Sequence, residues 1–173
     1  MSAVRVVAPD PDWSARFLDE AAHIRAALRS HSIEVLHIGS TSIRGIYAKP
    51  VIDMLLLVDQ ISVVDEASSA LVQLGYEALG EFGISGRRYF RKDGADGTRT
   101  HQLHSFVRGS DDAKRHLAFR DYMNCHPSIA QEYSALKQRL AAVFPADMTS
   151  YMDGKDVFIK FHQARAMLEY TTA

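Results

Sequence analysis

The chain holds little cysteine, tryptophan or proline: one, one and five among 173 residues. Cys125 has no partner for an internal disulfide, which excludes a cystine-stapled fold and fits a reducing compartment. It sits between two helical segments without a glycine-rich turn, so it reads as a bland thiol. An excess of charge of either sign is also missing. The 20 basic and 21 acidic residues leave a net charge of −1. This excludes a generally basic nucleic-acid binder and makes nucleic acid an unlikely partner, while leaving room for a local basic pocket. The first residues, M-S-A-V-R-V-V-A-P-D, lack the apolar core of a secretory signal. The most apolar run, Val51 to Val58, is broken by Asp53 and falls far short of the ~20 residues that span a bilayer. A cytoplasmic chain without membrane attachment is expected. No repeat or linker divides residues 1–173, so one domain is expected as well.

What is present is a globular balance, with 47% hydrophobic and 24% charged residues. Trp13, Phe17, Ala21, Ile24 and Leu28 recur at helical spacing and predict a helix over 11–29, capped by Asp10. Two buried strands follow, 35–40 and 51–58. Ser62 and Asp65 resemble a capping box, and the pattern through Leu74 predicts one helix ended by Gly75. Segments 76–79, 87–92 and 101–108 read as strands, the last two as a hairpin across Asp93-Gly94 and Asp96-Gly97. Three helices follow, starting at Asp111, at Pro127 and after Asp153. Ile129, Tyr133, Leu136, Leu140 and Phe144 form the expected core stripe of the second, and Val157, Phe161, Ala164 and Leu168 that of the third. The fold class is α+β, or mixed α/β, with a helical C-terminal third.

Chemistry concentrates between residues 35 and 58. A strand runs into Gly39-Ser40-Thr41-Ser42, where a glycine lets backbone approach a ligand and hydroxyls and amides offer hydrogen bonds to an anion. The next strand carries Asp53, a carboxylate that is costly to bury unless paired or bound to a cation. Basic residues gather in the same half: Arg44, Lys49, Arg87, Arg88, Arg91, Lys92 and Arg99. Strand alternation puts Arg87, Tyr89 and Arg91 on one face and Arg88, Phe90 and Lys92 on the other. His101 and His104, three apart on a strand, face opposite sides, so either one joins Asp53 as a ligand or as an acid or base. His37 and Arg120 are further candidates beside the Gly-Ser turn.

The segment Gly39-Ser40-Thr41-Ser42…Gly45…Ala48-Lys49-Pro50…Ile52-Asp53 closely resembles the GrpB-like family, whose core reads G-S-T-S-h-x-G-h-x-A-K-P-h-I-D-h, h being apolar. Arg99-Thr100-His101…Leu103-His104, His116-Leu117…Phe119-Arg120-Asp121-Tyr122, and Tyr133, Leu136 and Lys137 extend the likeness. That family is placed in the nucleotidyltransferase superfamily of the polymerase-beta type. The resemblance implies a small mixed sheet flanked by helices, with a Gly-Ser pair holding phosphate and strand carboxylates holding magnesium, the metal serving an in-line displacement. It implies Asp53 as metal ligand and catalytic residue together with His104. Together with the basic cluster and the strand histidines, it gives Gly39, Ser40, Thr41, Ser42, Lys49, Arg88, Arg99, His101 and Arg120 as the expected ligand-binding residues. The partner implied is a nucleotide or another phosphorylated small molecule, and the activity is nucleotidyl transfer to a small acceptor.

The sequence departs from the superfamily pattern where a second carboxylate belongs, since Leu55 stands two residues after Asp53. Asp59 lies ~20 Å further along an extended strand, and no acid occurs between His101 and Arg108. Two other functions therefore stay open. One is a nucleotide- or phosphate-binding module without catalysis. The other is a metal-dependent hydrolase using Asp53 with His101 or His104.

Overall fold

The computed structural model describes residues 4–172; residues 1–3 and 173, at the ends of the expected domain, lie outside the described residues. Helix α1, Asp12–Ala27, precedes strand β1, Ile33–Ile38, which ends at Gly39 and a single 3-10 turn, Ser40–Ser42. Strand β2 spans Ile52–Val58. The helix expected up to Gly75 is two short ones, α2 (Ser62–Glu66) and α3 (Ser68–Gln73), and no side-chain cap bond forms at Ser62. Strands β3 (Tyr76–Ala78), β4 (Arg88–Asp93) and β5 (Arg99–Val107) follow. Helices α4 (Asp111–Cys125), α5 (Pro127–Val143) and α6 (Met148–Thr172) complete the described chain.

The five strands form one mixed sheet in the order β1-β2-β5-β4-β3, with β2 and β5 parallel and every other neighbour antiparallel. The expected hairpin is β4–β5. Its turn closes through Gly94 N donating to Thr98 O, with Gly97 at φ +74°. The expected fold class is the observed one: strands in the first two thirds, helices in the last.

Register divides the sheet residues between two faces. Val35, Met54, Leu56, Phe90 and Leu103 pack on one face against Trp13 and Ile24 of α1, Leu28 just after it, and Val64 and Leu71 of α2 and α3. Ile38, Leu55, Leu57 and Phe106 lie on the other and are covered by Ala113 and Leu117 of α4. Helices α5 and α6 stack beyond α4, against the 39–51 connection, through Ile43, Ile46, Met123, Ala130, Tyr133 and Phe158.

Helix α6 departs from expectation. It begins at Met148 rather than after Asp153. Its expected core stripe faces outward, with Val157, Phe161 and Leu168 exposed by 79%, 57% and 71%. The face turned inward carries Tyr151, Lys155, His162 and Ala166. In α5 Tyr133 of the expected stripe is buried, but Ala130, Ser134 and Lys137 share its face in place of Leu136 and Leu140. No helix among the described residues is long and apolar enough to cross a membrane.

Candidate functional site

Asp53 is the second residue of β2, on the sheet face covered by the later helices. It opens onto a small polar cleft lined by Ser40, Lys49, Val51, Gln102, Lys137, Tyr151 and Lys155. The floor is thus the start of β2 and β5, one wall is the 39–51 connection, and the opposite wall is α5 and α6.

Gly39 brings the turn against the carboxylate. Its φ is +71°, and a Cβ placed there would overlap Oδ2 and Cβ of Asp53. Both the backbone conformation and the space require glycine. Gly39→Ala is expected to destabilise the fold by about 1–3 kcal/mol, measured by urea unfolding. An unchanged midpoint would mean that the turn can step away from Asp53. Helix α4 fixes this turn from outside: Arg120 Nη1 donates to His37 O at 3.1 Å, and Asn124 Nδ2 donates to Ser42 O at 3.1 Å.

Three lysines line the cleft with Asp53, and none makes an ion pair within 4.0 Å among the described residues. Lys137 is 1% exposed and its Nζ has no hydrogen-bond partner. Lys155 is 8% exposed. Lys49 Nζ lies 3.6 Å from the sulfur of Met148. The two helical lysines are built alike, each with its ammonium over the ring of the tyrosine one turn earlier: Lys137 over Tyr133 at 4.4 Å and Lys155 over Tyr151 at 4.8 Å. Burial lowers all three ammonium groups, and a neighbouring cation adds to it in each case: Lys155 for Lys137, Lys49 for Lys155 and Arg99 for Lys49. Lys137 falls to about 7 and Lys155 to about 8. Burial raises Asp53 to about 6, outweighing the opposite pull of Lys49 and Lys155.

His104 lies beside the cleft, on the same sheet face as Asp53. Its Nδ1 lies 3.3 Å from Arg87 Nη1. A guanidinium has only donors, so Nδ1 accepts and Nε2 carries the proton. Nε2 lies 4.0 Å from Asp53 Oδ1, beyond hydrogen-bonding range. Burial, with His116 and Arg87 nearby, lowers His104 to about 3, so it is a neutral imidazole at neutral pH rather than an acid–base group poised there. Arg87 also donates to the carbonyls of Glu81 (3.1 Å) and Phe82 (2.6 Å), tying the 79–86 loop to this histidine.

The structure gathers Gly39, Ser40, Lys49, Asp53 and His104 of the sequence candidates in or beside the cleft. Thr41 is turned away, its hydroxyl donating to Val51 O at 3.2 Å and meeting His37 Nε2 at 2.9 Å. Ser42 Oγ donates to Gly39 O at 2.6 Å and holds the turn. Arg99 stands close enough to Lys49 to lower it electrostatically while pairing with Asp93 at 2.5 Å. Arg88 and His101 lie on the opposite sheet face. There Arg88 is held by Asp65 at 2.5 Å, and Lys92 pairs with Glu20 at 2.9 Å. His101 meets the Thr100 hydroxyl at 2.9 Å and is influenced by Glu20 and Lys92. The alternation expected for β4 holds, and it is Arg87, not Arg88, that shares the face of Asp53.

Sequence reasoning passed over Lys137, Lys155 and Tyr151 as site residues. A signal was present: Tyr133-x-x-x-Lys137 and Tyr151-x-x-x-Lys155 repeat one pattern, with each lysine on the helix face of a buried aromatic.

Magnesium asks for several hard oxygen ligands. Leu55, where a second carboxylate is needed, is buried with Ile38, Leu57 and Phe106. Among the described residues no group of three or more His, Cys, Asp or Glu is arranged to hold a metal ion. One carboxylate sharing a cleft with three lysines does not fit a magnesium pair.

Comparison with known proteins gives the chain its relatives. It is 40% identical over 163 residues to the UPF0157 protein YqkA of Bacillus subtilis (strain 168), covering 94% of this chain and 47% of YqkA. The chain therefore spans about half the length of that relative. The crystal structure of conserved protein GrpB from Enterococcus faecalis superposes with a TM-score of 0.90 at 41% identity, covering 96% of this chain and 99% of that one. The Cid1 poly(U) polymerase, in a crystal structure with MgGTP bound, superposes with a TM-score of 0.55 at 13% identity over 79% of this chain and 44% of Cid1. That likeness is one of fold, and it makes the mixed sheet nucleotidyltransferase-like. Residues 3–165 match the GrpB protein family, and the chain belongs to it.

Proposed function

We propose that the chain binds a phosphorylated small molecule, a nucleotide or a simpler phosphate ester, in the cleft above Asp53, and that its lysines hold the phosphate directly. The observation that carries this reading is the uncompensated charge. Lys49, Lys137 and Lys155 converge on one cleft, and no carboxylate neutralises any of them within 4.0 Å among the described residues. Buried cations are costly unless a counter-charge meets them. Elsewhere the chain supplies that counter-charge itself, as Glu20 does for Lys92. At the cleft an anionic ligand supplies it. Ser40 adds a hydroxyl, and Gln102 and Tyr151 offer polar groups for the rest of the ligand.

The test is a thermal-shift screen of nucleotides and sugar phosphates with chelator and with magnesium. A ligand at a hundred times its Kd adds about 2.7 kcal/mol to apparent stability. A shift that survives chelator and disappears in Lys155→Met supports the reading. No shift from any phosphorylated compound overturns it.

Nucleotidyl transfer would need a divalent metal, which a cleft with one carboxylate and three lysines does not fit. It requires a magnesium-dependent product that Asp53→Asn abolishes. Binding alone leaves no product with any metal.

A further inference from the structure

We propose that Lys137 is a nucleophilic amine that condenses with the carbonyl carbon of a phosphorylated aldehyde or ketone whose phosphate is held by Lys49 and Lys155. This rests on the phosphate-binding reading above and names the ligand class within it.

The geometry separates the three lysines. Lys49 and Lys155 are the pair that act electrostatically on Asp53, while Lys137 lies deeper, at 1% exposure, with its Nζ bound to nothing. A lysine kept for structure would have an acceptor, since an orphaned buried donor costs about 1–3 kcal/mol. A lysine kept only for charge would stand where an anion could reach it without its own desolvation. Lys137 does neither. It lies against an aromatic ring and next to a second cation, in the cleft that Asp53 also lines. Desolvation and a neighbouring cation are the two conditions that leave a lysine amine unprotonated and nucleophilic near neutral pH. Asp53, itself raised by burial, is the acid available in the same cleft.

The step balances without an outside reagent. The Nζ lone pair forms the C–N bond, and the carbonyl π pair moves to oxygen, which takes a proton from the Asp53 carboxyl. The nitrogen then returns one proton to the Asp53 carboxylate, and the nitrogen lone pair expels the hydroxyl, which leaves as water with the second nitrogen proton, so Asp53 ends as it began. The sum is R–CHO plus Lys137–NH2 giving R–CH=N–Lys137 plus H2O. Nothing is oxidised or reduced, and hydrolysis reverses the step.

The experiment uses pyridoxal 5′-phosphate as the probe, added below stoichiometry and trapped with sodium borohydride, with the labelled peptide identified by mass spectrometry. The reduced adduct is expected on Lys137. Its yield should fall by about tenfold or more with pyridoxal lacking phosphate, with excess inorganic phosphate, and in Lys155→Met. Lys137→Met, with its folding checked by thermal melt, should leave no adduct in the α5 peptide. Label spread over exposed lysines such as Lys160, with Lys137 unmodified while inorganic phosphate still raises the melting temperature, overturns the imine and leaves phosphate binding standing. If inorganic phosphate and the phosphorylated compounds produce no shift, both fall.

Discussion

Lys137→Met is expected to stabilise the free protein, and Lys92→Met to destabilise it. Both lysines are buried or part-buried against the same sheet, on opposite faces. Methionine at 137 keeps the volume of the stem and removes an ammonium that has no partner. The gain is about 1–3 kcal/mol, which in a chain of this size moves Tm by roughly 2–4 °C per kcal/mol. Methionine at 92 instead strands the buried Glu20 carboxylate, which now receives Lys92 Nζ at 2.9 and 3.1 Å. That costs about 3 kcal/mol, the low end for a broken buried pair because Lys92 keeps some contact with solvent.

The advantage of the Lys137 variant also depends on pH. The folded amine, at about 7, binds fewer protons than the unfolded one, at 10.5, throughout the interval between them. Wild-type stability therefore rises with pH across that window, and the gap between wild type and variant closes toward pH 10. Urea melts at pH 7 and pH 9.5 measure both effects. A Lys137→Met protein less stable than wild type at pH 7 would show that the ammonium has a stabilising partner.

Affinity for an inorganic anion is expected to fall as pH rises from about 6 to 9. Three groups act in the same direction. Asp53, at about 6, becomes a repelling carboxylate early in this range, and Lys137 and Lys155, at about 7 and 8, lose their charge later. An anion favours the charged ammonium and the neutral carboxyl, so binding draws protons from solution. Each proton taken up changes affinity by at most about tenfold per pH unit. Titration calorimetry with sulfate, in two buffers of different ionisation heat, reads the uptake directly. Sulfate keeps its charge across this range, so the protein alone sets the slope. A buffer-independent heat at pH 7.5, or an affinity flat from pH 6.5 to 9, would sink the proposed role of these groups.

The fold was legible where burial and periodicity agree. Strands β1 and β2, the β4–β5 hairpin and the start of α5 at Pro127 follow from apolar runs, turn residues and a helix-opening proline. Helix α6 was misread because the face it turns inward is polar. Val157, Phe161, Ala164 and Leu168 have the spacing of a core stripe, and a pattern argument sends polar residues outward. Here Lys155 and His162 face inward, and the apolar stripe meets solvent. A helix that delivers a cation to a buried cleft inverts its own pattern.

The same cause displaced part of the expected face of α5, where Lys137 continues the buried line of Ala130, Tyr133 and Ser134. Arg88 illustrates a different limit. Period two separates Arg87 from Arg88 correctly, yet which face meets the cleft depends on where α4, α5 and α6 pack, and no local pattern records that. The motif around Gly39 and Asp53 was legible because its demand is local: a positive φ and a missing side chain at one residue, against a carboxylate on the adjacent strand.

The two tyrosine–lysine pairs have a consequence for the energetics of recognition. A lysine free in solvent loses up to about 1.5–2 kcal/mol of rotamer freedom when a ligand fixes it. Lys137 and Lys155 are confined between packed helices, each ammonium already lying over a ring. Folding has ordered them before any ligand arrives. An anion that enters this cleft meets cations that need not be immobilised, so a larger share of each contact remains as affinity than at a surface lysine of the same charge.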